Sequence, residues 1–394
     1  MNDRRNRPIR SGERGRVDNR YQVAVVGTGG IAAIHAGDLA RLADRALITV
    51  AVDPDPHRLE AFCERWSVPR RFPSVEAMLE AIPDSGLPDL VDLATPPGLH
   101  AAQSIACLDR NLTVLCEKPP ALNLAELDEI AAAERAGSGR FAGIVQHRFG
   151  SGARTLRALV RDGRLGTPMT AVCHTLWFRP DDYFQVPWRG RWEVEGGGPT
   201  LGHGIHQMDL LISILGPWRR VVAVADRRAR PTETEDVSAA IITFQNGAVA
   251  TVVNSLVAPR ETSYLRFDFE HATVELEHLY GYSDEDWQVT PVPGMEAAVE
   301  QAWRSHPSGV ASGHRAQFTA VLDAIDAGSP PPVAIDELRS TMDLITSIYA
   351  SAFTGRPVEA GEIGPGSPYY RHMHGGPGHG PEGGMVPWME VVAR

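Results

Sequence analysis

The feature that most restricts the fold is a regular alternation in the N-terminal part of the chain. Short apolar runs at 21–26, 48–52, 90–94, 112–116 and 141–146 read as buried strands, and 31–42, 56–66, 74–81, 99–109 and 124–136 carry apolar residues at helical spacing. A helix between every two strands supplies the long crossover that parallel pairing needs, so the pattern predicts an α/β unit with a doubly wound parallel sheet. After about residue 148 the pattern changes. Runs at 169–178, 221–225, 237–244, 248–256, 264–269 and 273–279 are strand-like and follow one another with few helical stretches, which predicts an α+β unit on a large, mainly antiparallel open sheet. Asn246-Gly247 reads as a two-residue hairpin with positive φ at both positions. Helices are expected near 204–215, 315–327 and 335–353. The expected domains are 21–147 and 148–355, preceded by a disordered basic tail over 1–20 and followed by a Gly/Pro/His-rich segment over 356–394.

Bulk properties exclude several classes. A chain of 394 residues can bury two cores, and a net charge of −11 argues against nucleic acid as a partner. No stretch approaches the roughly 20 apolar residues of a membrane span. The basic tail lacks the apolar run of a secretory signal. Cys63, Cys107, Cys116 and Cys173 have no CxxC spacing, which suits reduced thiols in a cytoplasmic protein and gives no zinc site. His372, His374 and His379 lie in the Gly/Pro-rich segment and read as an irregular surface stretch, so no metal is expected.

Directly after the first strand stands Gly27-Thr28-Gly29-Gly30-Ile31-Ala32, a G-x-G-x-x-A pattern opening a helix. Gly27 permits the tight turn, Gly29 lets the backbone approach a pyrophosphate, and Ala32 lets the helix pack on the strand, as in a Rossmann domain. Asp53 ends the second strand about 20 residues later, where a carboxylate binds the adenosine ribose diol or caps the next helix. A carboxylate there favours NAD, while the nearby Arg58 leaves NADP open. The turn Thr95-Pro96-Pro97-Gly98-Leu99-His100 and the strand leading to Glu117-Lys118 end on the same carboxyl edge, where ligands of such sheets bind.

Lys118 is the single lysine among 38 Lys and Arg residues. Arginine keeps its proton under all protein conditions, whereas a lysine can lose it when buried or beside another cation, so Lys118 reads as a proton donor or acceptor. Compositional drift toward arginine would instead leave one lysine by chance on a solvated face.

Gly27-x-Gly29-x-x-Ala32 with His35, Thr95-Pro96 with His100, Glu117-Lys118-Pro119, and Gly196-Gly197-Gly198 leading to Gly204-Ile205-His206-Gln207-Met208-Asp209 together resemble the Gfo/Idh/MocA family. The resemblance runs from about residue 21 to 358. It implies an NAD(P)-dependent oxidoreductase acting on a secondary alcohol of a sugar, sugar derivative or cyclitol, and a homodimer or homotetramer built through the C-terminal sheet. It also implies catalytic roles for Lys118, His206 and Asp209, and a cofactor site from Gly27, Thr28, Gly29, Gly30, Ile31, Asp53, Thr95, Pro96, His100, Glu117, Lys118 and Gln146. Substrate contacts are expected from Arg148, Trp188, Arg189, Trp192, His203, His206 and Asp209. His206 and Asp209 are three apart and share a helix face. Many polyol dehydrogenases of the family have an aspartate four residues before the histidine; here that position is Gly202, and the adjacent His203 either takes over the contact or is a core histidine. In the implied chemistry, Lys118, its pKa lowered by burial and by a cationic nicotinamide, stabilises the developing alkoxide while His206 moves the proton. The resemblance also admits an NAD-dependent glycosidase working through transient oxidation and a non-catalytic, sugar-responsive regulator.

Overall fold

The computed structural model describes residues 20–376. Almost all of the expected basic tail and the end of the Gly/Pro/His-rich segment, including His379, lie outside the described residues.

The N-terminal unit runs β1 (Tyr21–Val26), α1 (Gly30–Ala40), β2 (Ala46–Val52), α2 (Pro56–Trp66), β3 (Arg70–Phe72), α3 (Val75–Ala81), β4 (Leu90–Leu93), α4 (His100–Leu108), β5 (Thr113–Cys116), α5 (Leu124–Ala136) and β6 (Arg140–Gly143). The sheet order is β3-β2-β1-β4-β5-β6, with every pair parallel. The order reverses between β1 and β4, so a crevice opens at their carboxyl ends. β3 was not expected: its three residues, Arg-Arg-Phe, carry no apolar run to announce a strand.

The chain continues through α6 (Ser151–Arg161), β7 (Pro168–Phe178), α7 (Trp192–Glu195), α8 (Pro199–Gly202), α9 (Ile205–Leu215), β8 (Trp218–Asp226), β9 (Val237–Phe244), β10 (Val249–Ser255), β11 (Val257–Phe269), β12 (Ala272–His278), β13 (Trp287–Pro291), α10 (Glu296–Arg304), α11 (His314–Asp326), α12 (Ile335–Thr354) and β14 (Val358–Glu359). Eight strands form the second sheet in the order β13-β12-β11-β7-β10-β9-β8-β14, antiparallel except for the parallel β7–β10 pair. One face is covered by α9 and α12. The opposite face leaves Val222, Val224 and Ile241 exposed.

Three expectations need correcting. In the β9–β10 hairpin only Gly247 has positive φ (92°), and the Phe244 N–H donates to Ala248 O at 2.9 Å, so the loop spans three residues and ends on a glycine bulge. The Asn246 side chain accepts from the Ala248 N–H at 3.1 Å and donates to Leu215 O at 2.9 Å, which holds that turn without a left-handed asparagine. The linear boundary at 148–355 also fails for α11. Its Phe318, Val321 and Leu322 are buried with Val23, Ala36 and Leu39 in the core of the first unit, because the chain returns there after completing the second sheet. Finally, the described part of the C-terminal segment is not merely surface. Tyr369, Tyr370 and Met373 are buried, and the Tyr370 hydroxyl donates to Asp128 at 2.8 Å.

All four cysteines are free and buried. Among the described residues no helix is long and apolar enough to cross a membrane.

Candidate active site

At the crevice, Gly27 has φ of 86°, and a Cβ there would lie 2.7 Å from Ala94 O, so the turn excludes any side chain. A Cβ on Gly29 or Gly30 would meet nothing within 4 Å. Helix α1 starts at this open space with no side-chain cap, leaving its first N–H groups for an anion; Ile31 lies half-buried in its first turn. Asp53 is buried beside the turn. Its Oδ2 accepts from the Thr28 N–H and hydroxyl, both at 2.9 Å, and its Oδ1 accepts from the Asp55 N–H at 2.9 Å and from Arg58 at 3.0 Å. Burial works against its charge, but these donors and Arg58 outweigh it and hold the carboxyl below its usual range. The cap of α2 is Asp55, so Asp53 is not a helix cap. The glycine turn, the uncapped helix start and the acidic end of β2 fit a dinucleotide.

Three expected cofactor residues have side chains engaged inside the protein. His100 is fully buried, with Nδ1 at 2.7 Å from Pro119 O and Nε2 at 2.8 Å from Thr95 O, so it braces the loop carrying Thr95 and Pro96 to the loop after Lys118. The Thr95 hydroxyl donates to Gln103 at 2.6 Å. Glu117 accepts at Oε2 from the Lys118 N–H at 2.9 Å, and its Oε1 is 3.1 Å from His35 Nε2 and 3.4 Å from His314 Nε2. His35 Nδ1 in turn lies 3.0 Å from Asp92. Burial opposes the His35 charge, but Asp92 and Glu117 overcome it and push its pKa up to about 10. Burial likewise opposes the Glu117 charge, yet His314 and His35 hold that carboxyl well below its usual range. Glu117 therefore anchors the backbone of Lys118 from beneath.

Lys118 is half-buried, and its Nζ donates to Gly202 O at 2.9 Å. Withdrawal from solvent lowers its pKa; Glu117 and Glu195 oppose this, and Arg189 and Arg179 add to it. The same buried space is faced by His206, whose two ring nitrogens have no hydrogen-bond partner among the described residues. His206 stacks on His147 with centroids 4.9 Å apart. Burial, then Lys118 and His147, hold its pKa well below the usual histidine value, so the ring is neutral. His147 is fixed as a tautomer: its Nε2–H donates to Tyr280 O at 2.6 Å, and its Nδ1 accepts from the Gln207 amide at 3.2 Å. Gln146 donates weakly to the Tyr280 hydroxyl at 3.4 Å and keeps a buried Oε1 with no partner among the described residues.

His203 shares this space. Its Nε2 is 3.4 Å from the Tyr183 hydroxyl, its ring meets the Trp177 edge at 5.1 Å, and its Nδ1 has no partner among the described residues. Burial and then Lys118 keep it neutral. Arg189 stacks on Tyr183 at 3.8 Å and Trp188 at 4.2 Å, while Arg179 lies over Trp177 at 4.8 Å, forming a wall of aromatic rings and guanidiniums.

Three expected substrate contacts point elsewhere. Arg148 and Asp209 are buried and paired, Nε to Oδ2 at 2.6 Å and Nη2 to Oδ1 at 2.7 Å. Asp209 also accepts from Thr341 at 3.0 Å, and Arg148 binds Glu337, so this pair ties α9 to α12. The three-residue spacing from His206 put Asp209 near the same helix face, but the guanidinium turns its carboxylate inward. Trp192 packs edge-on against Tyr349 at 5.3 Å and donates from its indole to Glu233 O at 3.0 Å, as a core residue. Conversely His147, Gln207, Tyr280, Tyr183, Arg179 and Glu195 were not picked out from sequence. Two carried a signal: His147 stands between the named Gln146 and Arg148, and Gln207 follows His206 within the Gly204–Asp209 motif.

Residues 21–142 match the family described as an oxidoreductase family with an NAD-binding Rossmann fold, and residues 153–275 match the GFO/IDH/MocA C-terminal domain. The chain is 27% identical to a D-apiose dehydrogenase of Paraburkholderia graminis, over 86% of this chain and 90% of that one. It is 25% identical to a D-glucoside 3-dehydrogenase of Escherichia coli, over 86% of this chain and 97% of that one. Among solved structures, the WlbA dehydrogenase of Chromobacterium violaceum, in complex with NADH and UDP-GlcNAcA, superposes with a TM-score of 0.75 at 27% identity, covering 87% of this chain and 96% of that one. With both of its domains matched in order around a dinucleotide crevice, the chain belongs to the Gfo/Idh/MocA family, NAD(P)-dependent oxidoreductases that act on sugar CH–OH groups.

Proposed function

We propose that this protein oxidises a secondary hydroxyl of a sugar, sugar derivative or cyclitol, or reduces the matching ketone, with NAD as the partner. The observation that carries the reading is a half-buried lysine of lowered pKa sharing one space with a neutral histidine whose two ring nitrogens lack partners among the described residues. NAD, when bound, supplies the hydride acceptor. Lys118 hydrogen-bonds the reacting oxygen and stabilises its charge as the C–H bond breaks. His206 takes the hydroxyl proton on one free nitrogen, and the fixed His147 ring keeps it oriented. In the ketone direction the same groups polarise and protonate the carbonyl oxygen. The rings and guanidiniums of Tyr183, Trp188, Arg189 and Arg179 suit a sugar, whose face offers C–H surface and whose rim offers hydroxyls. The exposed apolar residues Val222, Val224 and Ile241 support a homo-oligomer joined through the second sheet.

The test is absorbance at 340 nm on mixing protein, NAD and a panel of sugars and cyclitols. NADH should accumulate with at least one of them. Product release without net NADH would favour the glycosidase, and binding of NAD and sugar without any product would favour a regulator. Lys118→Arg and Lys118→Ala, compared at equal folding, test the proton role: normal turnover by the Arg variant would show that positive charge alone suffices.

A further inference from the structure

The position of the family's common aspartate is Gly202, and the structure shows what fills the space in front of it. Among the described residues, a Cβ built on Gly202 meets one heavy atom within 4 Å, Glu195 Oε1 at 3.9 Å. The carbonyl of Gly202 receives Lys118 Nζ at 2.9 Å. Lys118 and Glu195 thus both approach a single residue, the carboxylate arriving from α7 rather than from α8. Glu195 is only 7% exposed. It is held by the Gly190 N–H at 2.5 Å and by Arg189 at 3.5 Å, which fixes Oε1 toward residue 202.

The charged and titratable groups around Lys118 come from every neighbouring element. Glu117 lies at the end of β5 and His100 at the start of α4; Arg179 follows β7; Arg189 and Glu195 sit on the segment ending in α7; His203 and His206 sit around α8 and α9; and His147 follows β6. Only two of these are carboxylates. Glu117 is already engaged with His35, His314 and the Lys118 backbone, so Glu195 is the acidic group whose removal would change the field at Lys118 without dismantling that network.

We propose that Glu195 is a positioning residue for Lys118, supplying from α7 the carboxylate missing at residue 202 and setting the charge on the lysine. This deepens the dehydrogenase reading and rests on it, yet it can be read without turnover, because Lys118 is the only lysine in the chain. Protein grown on lysine labelled with carbon-13 at the ε position has one labelled side chain, whose chemical shift titrates with Lys118. In Glu195→Gln the midpoint should fall by about one pH unit, since an opposing charge near the ammonium is removed. Gly202 is outside the positive-φ region, so an aspartate fits its backbone, and Gly202→Asp in the Glu195→Gln background should return the midpoint at least halfway. Gly202→Asp alone should raise it above the wild-type value, which keeps the test open should Glu195→Gln fail to fold. An unmoved midpoint in Glu195→Gln, or no effect of Gly202→Asp in either background, overturns the proposal. Absence of NADH formation by the wild-type protein would overturn the dehydrogenase reading instead, and leaves these midpoints measurable.

Discussion

Replacing Arg148 by Met separates the two readings of the Arg148–Asp209 pair. Asp209 has no exposed surface, and the side chain of Arg148 is 6% exposed. With Arg148 gone, Asp209 keeps one side-chain hydrogen bond among the described residues, from Thr341, to satisfy a full buried charge. Removing one partner of a buried ion pair costs about 3–5 kcal/mol, whereas replacing both by apolar groups of similar volume is close to neutral. Arg148→Met should therefore lower the urea midpoint by on the order of 1 M, given denaturant slopes of about 3 kcal/mol per M or more for a chain of this size. The double variant Arg148→Met, Asp209→Leu should recover most of that loss. Intrinsic tryptophan fluorescence across a urea series measures it, with KM for the best sugar followed in parallel. An Arg148→Met protein that unfolds at the wild-type midpoint but shows a tenfold higher KM would refute the clamp and restore Arg148 as a substrate ligand.

His206→Asn keeps a polar group of similar size but no titratable nitrogen, so kcat should fall by about 10²- to 10⁴-fold with the fold unchanged by circular dichroism. For His35, the folded pKa of about 10 stands above its ordinary 6.5, so its contribution to stability is full below about pH 6.5 and is lost as pH rises toward 10. The melting temperature of wild type should accordingly fall more steeply from pH 7 to 10 than that of His35→Gln; parallel curves would contradict the ion-paired assignment. Asp53→Ala removes the carboxylate expected to accept the ribose diol and frees Arg58, and the ratio of kcat/KM for NAD to that for NADP should drop by about tenfold or more.

Local pattern made much of this molecule readable. Strands such as 21–26 and 237–244 were recognisable because burial on both faces gives an unbroken apolar run and burial on one gives alternation. β3, two arginines and a phenylalanine, has neither pattern and is a strand only because β2 offers it an edge. The Asn246-Gly247 pair marks the turn in the sequence, but the turn type goes with the contact of the Asn246 side chain with Leu215 O. In the site, Lys118 and His206 stood out by residue type and spacing. Arg148, Trp192, His100 and Glu117 had equally suggestive types, and their partners turned them inward.

By itself, then, the sequence determined the parallel and antiparallel units, the glycine turn that opens α1, and the one lysine at the carboxyl edge, because each is written within a few residues of chain. Tertiary structure alone decided which polar side chains face the crevice. Arg148 meets a carboxylate 61 residues away, and His35 meets Glu117 82 residues away. Glu195 reaches the space before Gly202 from a separate helix. A buried charge is stable only where folding brings it a partner, and no local spacing records such a pairing.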